Sequence, residues 1–304
     1  MNKKQLRATL LLLLCDFFWG STFIAQSTAA ESLPPFAYLC ARSVVGSGAL
    51  FGIYFLFSRF QKSDFKKDFS FSTLKIGFLC GSALFVASAC QQFGITLGTG
   101  AGKAGFLTSL YLIFVPILGY MLYRRNPGIY AAGGAGVVLI GLFLLMWAGG
   151  SQGGFGIGDI VTACSGLCFA VHILIIDRYA PHVNCIALSC IQFFACALLS
   201  LAASFMCESV SLATLGGAAL PILYAGLLSS AFAYTLQIIG QKDCPPAVAA
   251  IVMSLESVFA LLSDIVMSLI RHKPFPVNRT ELFGCALMLA GVLLAQITPR
   301  SQKT

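Results

Sequence analysis

The sequence predicts an all-α membrane protein whose ten transmembrane helices form two inverted five-helix repeats. Of its 304 residues, 58% are hydrophobic and only 10% are charged, whereas a soluble domain carries about 25% charged residues. The mean hydropathy of +0.88 comes from apolar runs along the whole chain rather than from one anchor. The two halves also match when aligned on each other. The lipid bilayer is therefore the expected solvent and partner.

Ten apolar runs of 16–24 residues are predicted to cross a hydrocarbon core of about 30 Å, because a helix rises about 1.5 Å per residue. The runs of the first half cover 6–25, 36–57, 74–97, 105–123 and 129–147. The runs of the second half cover 157–176, 185–206, 220–240, 248–270 and 282–297. We expect a first repeat over 1–148, a glycine-rich linker over 149–158 and a second repeat over 159–304.

Basic residues predict the orientation of these spans. If the amino-terminus is cytoplasmic, ten spans return the carboxyl-terminus to the cytoplasm, and most of the 19 Lys and Arg residues fall on that side, as the positive-inside rule requires. Those expected inside are Lys3, Lys4, Arg7, Arg59, Lys62, Lys66, Lys67, Lys75, Arg124, Arg125, Arg178, Lys242, Arg300 and Lys303. Those expected outside are Lys103, Arg271, Lys273 and Arg279. This distribution explains the net charge of +8 without nucleic acid as a partner.

The remaining composition narrows the class of protein further. Most of the twelve cysteines lie inside apolar runs, where a thiol packs as a small apolar residue. There is no CxxC pair, so we expect no disulfide framework, metal or cofactor. The compact chain carries no organelle-targeting extension, so a bacterial cytoplasmic (inner) membrane is the expected location, with several membrane passes.

The internal repeat appears at two offsets. An offset of 150 pairs Trp19 with Phe169 and Arg42 with Gln192. It also pairs glycines of the fifth and tenth helices, Gly134 with Gly284 and Gly141 with Gly291. In the middle helices an offset of 145 pairs Gln92 with Gln237, Ser109 with Ser254, Leu110 with Leu255 and Tyr111 with Glu256. The difference falls in the loop at 271–279, where an insertion is tolerated.

An odd number of spans per repeat inverts the second copy relative to the first. Two halves of one fold with opposite directions can exchange conformations, so that a site at the membrane midplane opens to each side in turn. This symmetry favours a secondary carrier. The alternative is an intramembrane enzyme acting on a lipid or peptide, which would need clustered carboxylates or a paired nucleophile and base; a receptor or assembly factor would leave the repeat unexplained.

Several motifs resemble the drug/metabolite transporter superfamily, specifically its EamA-type members with two five-helix repeats. The segment 18–23 (FWGSTF) is similar to the family's first-helix motif, and 104–110 (AGFLTSL) to its fourth. The segment 254–260 (SLESVFA) is similar to Leu-Glu-Pro-Val-Phe-Ala in the ninth helix, with Ser257 in place of proline. A second departure is the absence of Gly-Glu after the fourth and ninth helices.

The resemblance implies a carrier of amino acids, other small metabolites or drugs, and we expect it to be an exporter. It also implies a cavity between the halves, lined chiefly by the first, third, fourth, sixth, eighth and ninth helices. The expected partner is a small-molecule substrate, and a second copy of the chain in a homodimer is a further candidate.

Charged side chains inside hydrocarbon need a partner, a watery cavity or a function. Asp16 and Trp19 lie about one turn apart on one helical face, where they could bind an amine-bearing substrate. Alternatively, Asp16 pairs with Arg42 and sets helix packing. For Arg42 itself, a structural cation or a hub of interhelical hydrogen bonds is the leading alternative to binding a substrate carboxylate.

Two carboxylates lie in the ninth helix. Glu256 could carry a proton or satisfy free backbone groups. Asp264 lies two turns later in the same helix. It could also have a functional or a structural role, and we favour a structural or gating role. The neutral groups Gln92, Gln237, Tyr111, Tyr234 and His172 complete the candidate substrate site, although interhelical hydrogen bonds would explain each of them singly.

Overall fold

The computed structural model describes residues 3–61, 64–148, 156–272 and 278–297, and within these ranges all regular structure is helical. The predicted linker therefore lies outside the described residues except for 156–158. The same holds for most of the loop in which the repeat offset changes, and for Lys62, Lys273, Arg300 and Lys303.

The first repeat contains five long helices in the predicted order. They are Lys3–Ala30, Pro35–Gln61, Phe71–Thr96, a fourth helix in two parts (Ala101–Thr108 and Tyr111–Tyr123) and Ile129–Ala148. A short helix, Phe65–Asp68, connects the second and third.

The second repeat follows the same order. Its sixth and seventh helices are Ile157–Tyr179 and Cys185–Cys207, joined through a 3₁₀ turn at Ala180–His182. After a short helix at Leu212–Gly217, the eighth helix runs through Ala219–Tyr224, a π-helical stretch at Ala225–Ala233, and Tyr234–Gln241. The ninth helix has two parts, Pro246–Met253 and Glu256–Ile270, and the tenth is Arg279–Ala295.

Nine of these helices, within the described ranges, are long and apolar enough to cross a membrane. The tenth helix has 17 residues, so the sequence prediction of a tenth full-length span is not established by length. Its beginning is well defined, because Asn278 and Glu281 form a capping box that satisfies free N–H groups.

Each repeat packs its first helix against helices of the other repeat. The first helix packs against the eighth and ninth, whereas the sixth packs against the third and fourth. The opening helix of each repeat therefore lies among helices of the other repeat. This arrangement puts the centre of the molecule between the repeats, at the depth where the fourth and ninth helices are interrupted.

Glycines allow the fifth and tenth helices to touch through their backbones. A Cβ on Gly134 would lie 2.6 Å from the carbonyl oxygen of Gly291, and one on Gly141 would lie 2.6 Å from that of Gly284. The sequence repeat pairs Gly134 with Gly284 and Gly141 with Gly291, so each contact is the symmetry mate of the other. This relationship is what a two-fold axis in the membrane plane requires.

The two ends of the described chain lie on one face of the bundle. Thr9 Oγ1 donates to Gln296 Oε1 across 3.3 Å, which joins the beginning of the first helix to the end of the tenth. We refer to this as the amino-terminal face and to the other as the opposite face.

On the opposite face, an ion pair of 2.6 Å joins Lys103 to Asp159. Asp159 also helps to cap the sixth helix, because its side chain accepts a hydrogen bond from the Gly156 N–H at 2.9 Å.

Candidate functional site

A small central cavity of about 30 Å³ lies between the two repeats. Its wall includes aromatic, hydroxyl, amide and charged side chains from both halves. The lining residues are Trp19, Phe23, Gln26, Arg42, Gln91, Thr108, Tyr111, Phe169, Ser229, Tyr234 and Glu256. The helices implied by the resemblance all contribute, and the second helix adds Arg42.

The cavity extends from mid-membrane toward the opposite face. Gln26 and Gln91 lie near the ends of the first and third helices, which both terminate there. Arg42 and Thr108 lie near the beginnings of the second and fourth helices, which start on the same side. The polar part of the cavity is therefore displaced from the amino-terminal face.

The fourth and ninth helices are interrupted at equivalent points. The first break falls at Ser109 and Leu110, and the second at Ser254 and Leu255. These are the residues that the 145-residue offset pairs, so the structure confirms the alignment. Discontinuous helices at this depth are a recurring feature of carriers built from inverted repeats.

Glu256 begins the second part of the ninth helix and accepts two hydrogen bonds from the fourth. Ser109 Oγ and Tyr111 OH each lie 3.2 Å from Glu256 Oε1. The side chain is 4% exposed and borders the cavity. Ser257, which stands where the family motif has proline, places its hydroxyl 3.1 Å from that of Ser109. The two broken helices are thus joined by polar contacts at their breaks.

Asp16 is fully buried beside this group. Neither carboxylate oxygen has a hydrogen-bond partner among the described residues. The predicted alternative of an Asp16–Arg42 ion pair is not formed in that part of the chain: Arg42 donates elsewhere, and Asp16 remains unpartnered. A buried carboxylate with no partner is costly, so structural pairing does not explain its presence.

One turn beyond Asp16, the Trp19 ring packs on Tyr234 with centroids 4.7 Å apart. Both rings line the cavity. They provide aromatic surface near the carboxylates, an arrangement suited to a cationic group.

Arg42 connects the second helix to the π-helical stretch of the eighth. Its Nε donates to Ser230 Oγ at 3.1 Å and its terminal NH₂ to Ser229 Oγ at 2.9 Å. Its guanidinium also lies 5.9 Å from the Tyr38 ring centroid. Arg42 is therefore an interhelical hub, as one sequence hypothesis proposed, and it also faces the cavity.

The other predicted site residues lie behind or away from the cavity wall. Gln92 is buried and donates to the backbone oxygen of Gln26 at 3.3 Å. His172 contacts Gln192 Oε1 at 3.1 Å through Nε2 and meets Tyr234 edge to face at 6.0 Å. Gln237 is buried without a partner for Oε1 among the described residues. Asp264 borders a separate pocket of about 310 Å³ near the end of the ninth helix.

Four polar lining residues were missed by the sequence reasoning. They are Gln26, Gln91, Thr108 and Ser229. Helical spacing could have found Gln26, since it follows Trp19 and Phe23 at i+7 and i+3 on one face. Gln91 was passed over because the repeat alignment selects its neighbour Gln92, yet alignment does not say which of two adjacent residues faces the axis.

The described residues contain no group of three or more His, Cys, Asp and Glu side chains suited to a metal ion. The cavity wall supplies hydrogen-bonding groups, aromatic faces, the Glu256 carboxyl group and the Arg42 guanidinium.

Comparisons with known proteins agree with this architecture. The model of the EamA-like transporter family matches the chain twice, at residues 6–147 and 156–296. An uncharacterized transporter from Archaeoglobus fulgidus is 30% identical over 295 residues, covering 97% of this chain and 87% of the relative. The uncharacterized transporter YwfM from Bacillus subtilis is 24% identical over 299 residues, and the alignment covers 97% of this chain and 96% of YwfM.

A solved crystal structure with 18% identity superposes with a TM-score of 0.75, covering 98% of this chain and 99% of its own, and so shows the same fold. Because the family model spans both halves and a relative shares 30% identity along nearly the whole chain, the chain belongs to the EamA-like transporter family and is a multi-pass membrane transporter.

Proposed function

We propose that this chain is a secondary carrier that exports a small organic metabolite across a bacterial inner membrane by alternating access. The observation that carries the proposal is the Tyr111–Glu256 contact of 3.2 Å. Its two residues are equivalent in the repeats and begin the second parts of the two broken helices. Such a contact lies close to the pseudo-two-fold axis, where a site can be exposed to either side.

The substrate chemistry follows from the groups around that contact. Glu256 and the neighbouring Asp16 supply acidic character, and Trp19 and Tyr234 supply aromatic faces. These groups suit an amine or another cationic centre. Arg42, on the wall of the same cavity, could meet an acidic group of the substrate, so an amino acid or a similar amine-bearing metabolite fits best.

Binding must be reversible for transport, and neutral polar residues in the cavity allow this. Most of its polar partners are neutral: Gln26, Gln91, Thr108 and Ser229. Neutral hydrogen bonds are individually modest, so they orient a substrate without holding it tightly. A carboxyl group that exchanges a proton for a cationic substrate would provide the coupling.

The proposed orientation places both termini in the cytoplasm. It rests on the bias of Lys and Arg toward the amino-terminal face. The cavity in this structure would then extend toward the outside, which suits release of an exported substrate. The comparisons favour a transporter over the intramembrane enzyme considered from the sequence.

Flux in liposomes containing the purified protein tests the proposal. Labelled amino acids, sugars and other metabolites are screened at several pH values with the native chain and with Glu256→Gln. We expect flux of at least one amine-bearing compound, with Glu256→Gln lowering the flux or changing its pH dependence. Glu31→Gln, an exposed carboxylate near the end of the first helix, is the matched control and should leave flux unchanged. Absence of flux for every compound, or identical pH profiles for native and Glu256→Gln protein, would contradict the proposal.

A further inference from the structure

Half of the ten buried polar side-chain atoms that lack a partner in the described ranges lie beyond the cavity wall. In the described ranges no hydrogen bond is formed by Nδ1 of His172, Nε2 of Gln192, Oε1 of Gln237 or either side-chain polar atom of Gln241. All four side chains are at most 1% exposed. Buried polar groups in native proteins are nearly always hydrogen-bonded, so each exception needs an explanation.

Two of these residues continue a cavity-lining stripe along the eighth helix. Tyr234 borders the cavity, and Gln237 and Gln241 follow it at i+3 and i+7 on the same helical face. With a rise of about 1.5 Å per residue, the stripe extends about 10 Å beyond Tyr234. It ends at Gln241, the last residue of the helix.

The stripe runs toward the amino-terminal face. A Cβ on Gly240, next to Gln241, would meet Leu12 at 3.0 Å and the Ala8 carbonyl oxygen at 3.2 Å. Ala8 and Leu12 belong to the beginning of the first helix, and both are buried. The end of the stripe therefore lies beside the first helix, on the amino-terminal side of the central cavity.

His172 and Gln192 provide a second wall. They contact each other at 3.1 Å, and the His172 ring lies against Tyr234. Gln192 is the repeat equivalent of Arg42, and Gln237 is the equivalent of Gln92. Arg42 lines the central cavity, so inversion of the two repeats maps that cavity onto the region around Gln192.

We propose that Gln237, Gln241, His172 and Gln192 line the second half of the substrate path, which is closed in this structure and filled with water when the carrier opens to the amino-terminal face. The inference rests on the proposed alternating access. It adds which residues line the path on the amino-terminal side, which is closed in this structure. It explains the unpartnered atoms, because water and substrate supply their hydrogen bonds in the other conformation. The amide groups would then act as specificity-determining contacts along the path.

Site-specific labelling tests the path without a known substrate. A charged, membrane-impermeant thiol reagent is added to the amino-terminal face of membranes containing Gln241→Cys, and modification at that position is read by peptide mass spectrometry. The control is Phe232→Cys, a lipid-facing position (43% exposed) in the same helix. We expect Gln241→Cys to react roughly tenfold faster than Phe232→Cys, and faster from the amino-terminal face than from the opposite one. Equal rates for the two variants, or faster reaction from the opposite face, would overturn the inference.

A second variant separates a path residue from a structural one. Gln241→Leu removes the unpartnered amide, so we expect unchanged or higher thermal stability together with roughly tenfold slower flux. Gln241→Asn should recover part of the flux. Native flux in Gln241→Leu would contradict a role in the path, as would a loss of flux explained by a loss of folded protein.

The two experiments also distinguish this inference from the proposed function. Labelling of Gln241→Cys in a chain that moves no metabolite would support the path and contradict the transport proposal. Metabolite flux without labelling of Gln241→Cys would support the transport proposal and contradict the path.

Discussion

Tyr111 and Glu256 occupy equivalent positions in the two repeats and are hydrogen-bonded to each other, hydroxyl to Oε1, at 3.2 Å. An aromatic donor in one repeat thus meets a carboxyl acceptor in the other where the fourth and ninth helices are interrupted. The symmetry of the backbone is retained while the chemistry of the site is asymmetric. One carboxyl group can therefore serve a site formed by both halves.

Loss of the Tyr111 hydroxyl should weaken transport without unfolding the protein. In Tyr111→Phe, Glu256 keeps only the hydrogen bond from Ser109, and one hydrogen bond is worth about 0.5–1.5 kcal/mol. We expect flux at low substrate concentration to fall about two- to tenfold. Tyr120→Phe, half-exposed on the same helix, is the control. Equal initial rates for the two variants would show that the hydroxyl is not part of the site.

Neutralising Asp16 should have opposite effects on stability and on transport. Its carboxyl group has no partner among the described residues, so Asp16→Asn removes neither a hydrogen bond nor an ion pair that holds the fold together. The melting temperature should stay the same or rise, while transport of amine-bearing compounds is lost. Asp243→Asn, in an exposed loop, should alter neither property. A lower melting temperature for Asp16→Asn would instead indicate a structural role.

A double-mutant cycle tests the hub formed by Arg42. Ser229→Ala removes one acceptor of its hydrogen bonds, and Arg42→Leu removes the donor. Because the two residues are in direct contact, their effects on the free energy of unfolding should not add, and the coupling should be about 1–3 kcal/mol. Thermal unfolding in detergent gives these values. Additive effects would mean that the contact contributes nothing to stability.

Glycine contacts between the fifth and tenth helices should be sensitive to a single methyl group. Gly134→Ala would bring a Cβ within 2.6 Å of the Gly291 carbonyl oxygen, whereas nothing lies within 4 Å of a Cβ at Gly136. Overpacking of this kind costs about 1–3 kcal/mol, so Gly134→Ala should lower the melting temperature. Gly136→Ala should leave it unchanged or raise it, since alanine favours a helix. Similar melting temperatures for the two variants would contradict the close backbone contact.

The two ion pairs at opposite ends of the sixth helix should differ in strength. Asp159 is paired with Lys103 at side-chain exposures of 6% and 13%, and it also accepts from Thr99 and the Gly156 N–H. Asp177 pairs with Arg125, whose side chain is 52% exposed. Asp159→Asn should therefore destabilise the fold by about 1–3 kcal/mol, and Asp177→Asn by about 0–1 kcal/mol. The reverse order in a denaturation series would contradict the assignment of Asp159 as a helix cap and interhelical contact.

The sequence could predict the helices because length and apolarity alone decide what crosses a bilayer. It could also predict which positions are equivalent, as the matching breaks at Ser109 and Ser254 show. Packing across the repeats could not be read in this way. Arg42 finds Ser229 and Ser230 rather than Asp16, because the π-helical stretch turns both hydroxyls toward it, and no periodicity in the chain signals that stretch.

The cavity wall illustrates the same limit. Trp19, Tyr111, Tyr234 and Glu256 were predicted and do line it, since each is a large or charged side chain that a midplane site would use. Gln91 replaces Gln92 because a rotation of about 100° between successive residues decides which one faces the axis.

Distances across the two faces of the membrane test the central claim, that one site is exposed to each side in turn. Spin labels carried by unnatural amino acids, which leave the native cysteines untouched, are placed at Leu97 and Ile270 near the opposite face, and at Leu122 and Lys242 near the amino-terminal face. Pulsed electron resonance then measures each pair with and without a transported substrate. Alternating access predicts that the Leu97–Ile270 distance shortens in the same population of molecules in which the Leu122–Lys242 distance lengthens. Two distances that stay fixed, or that change in the same direction, would contradict it.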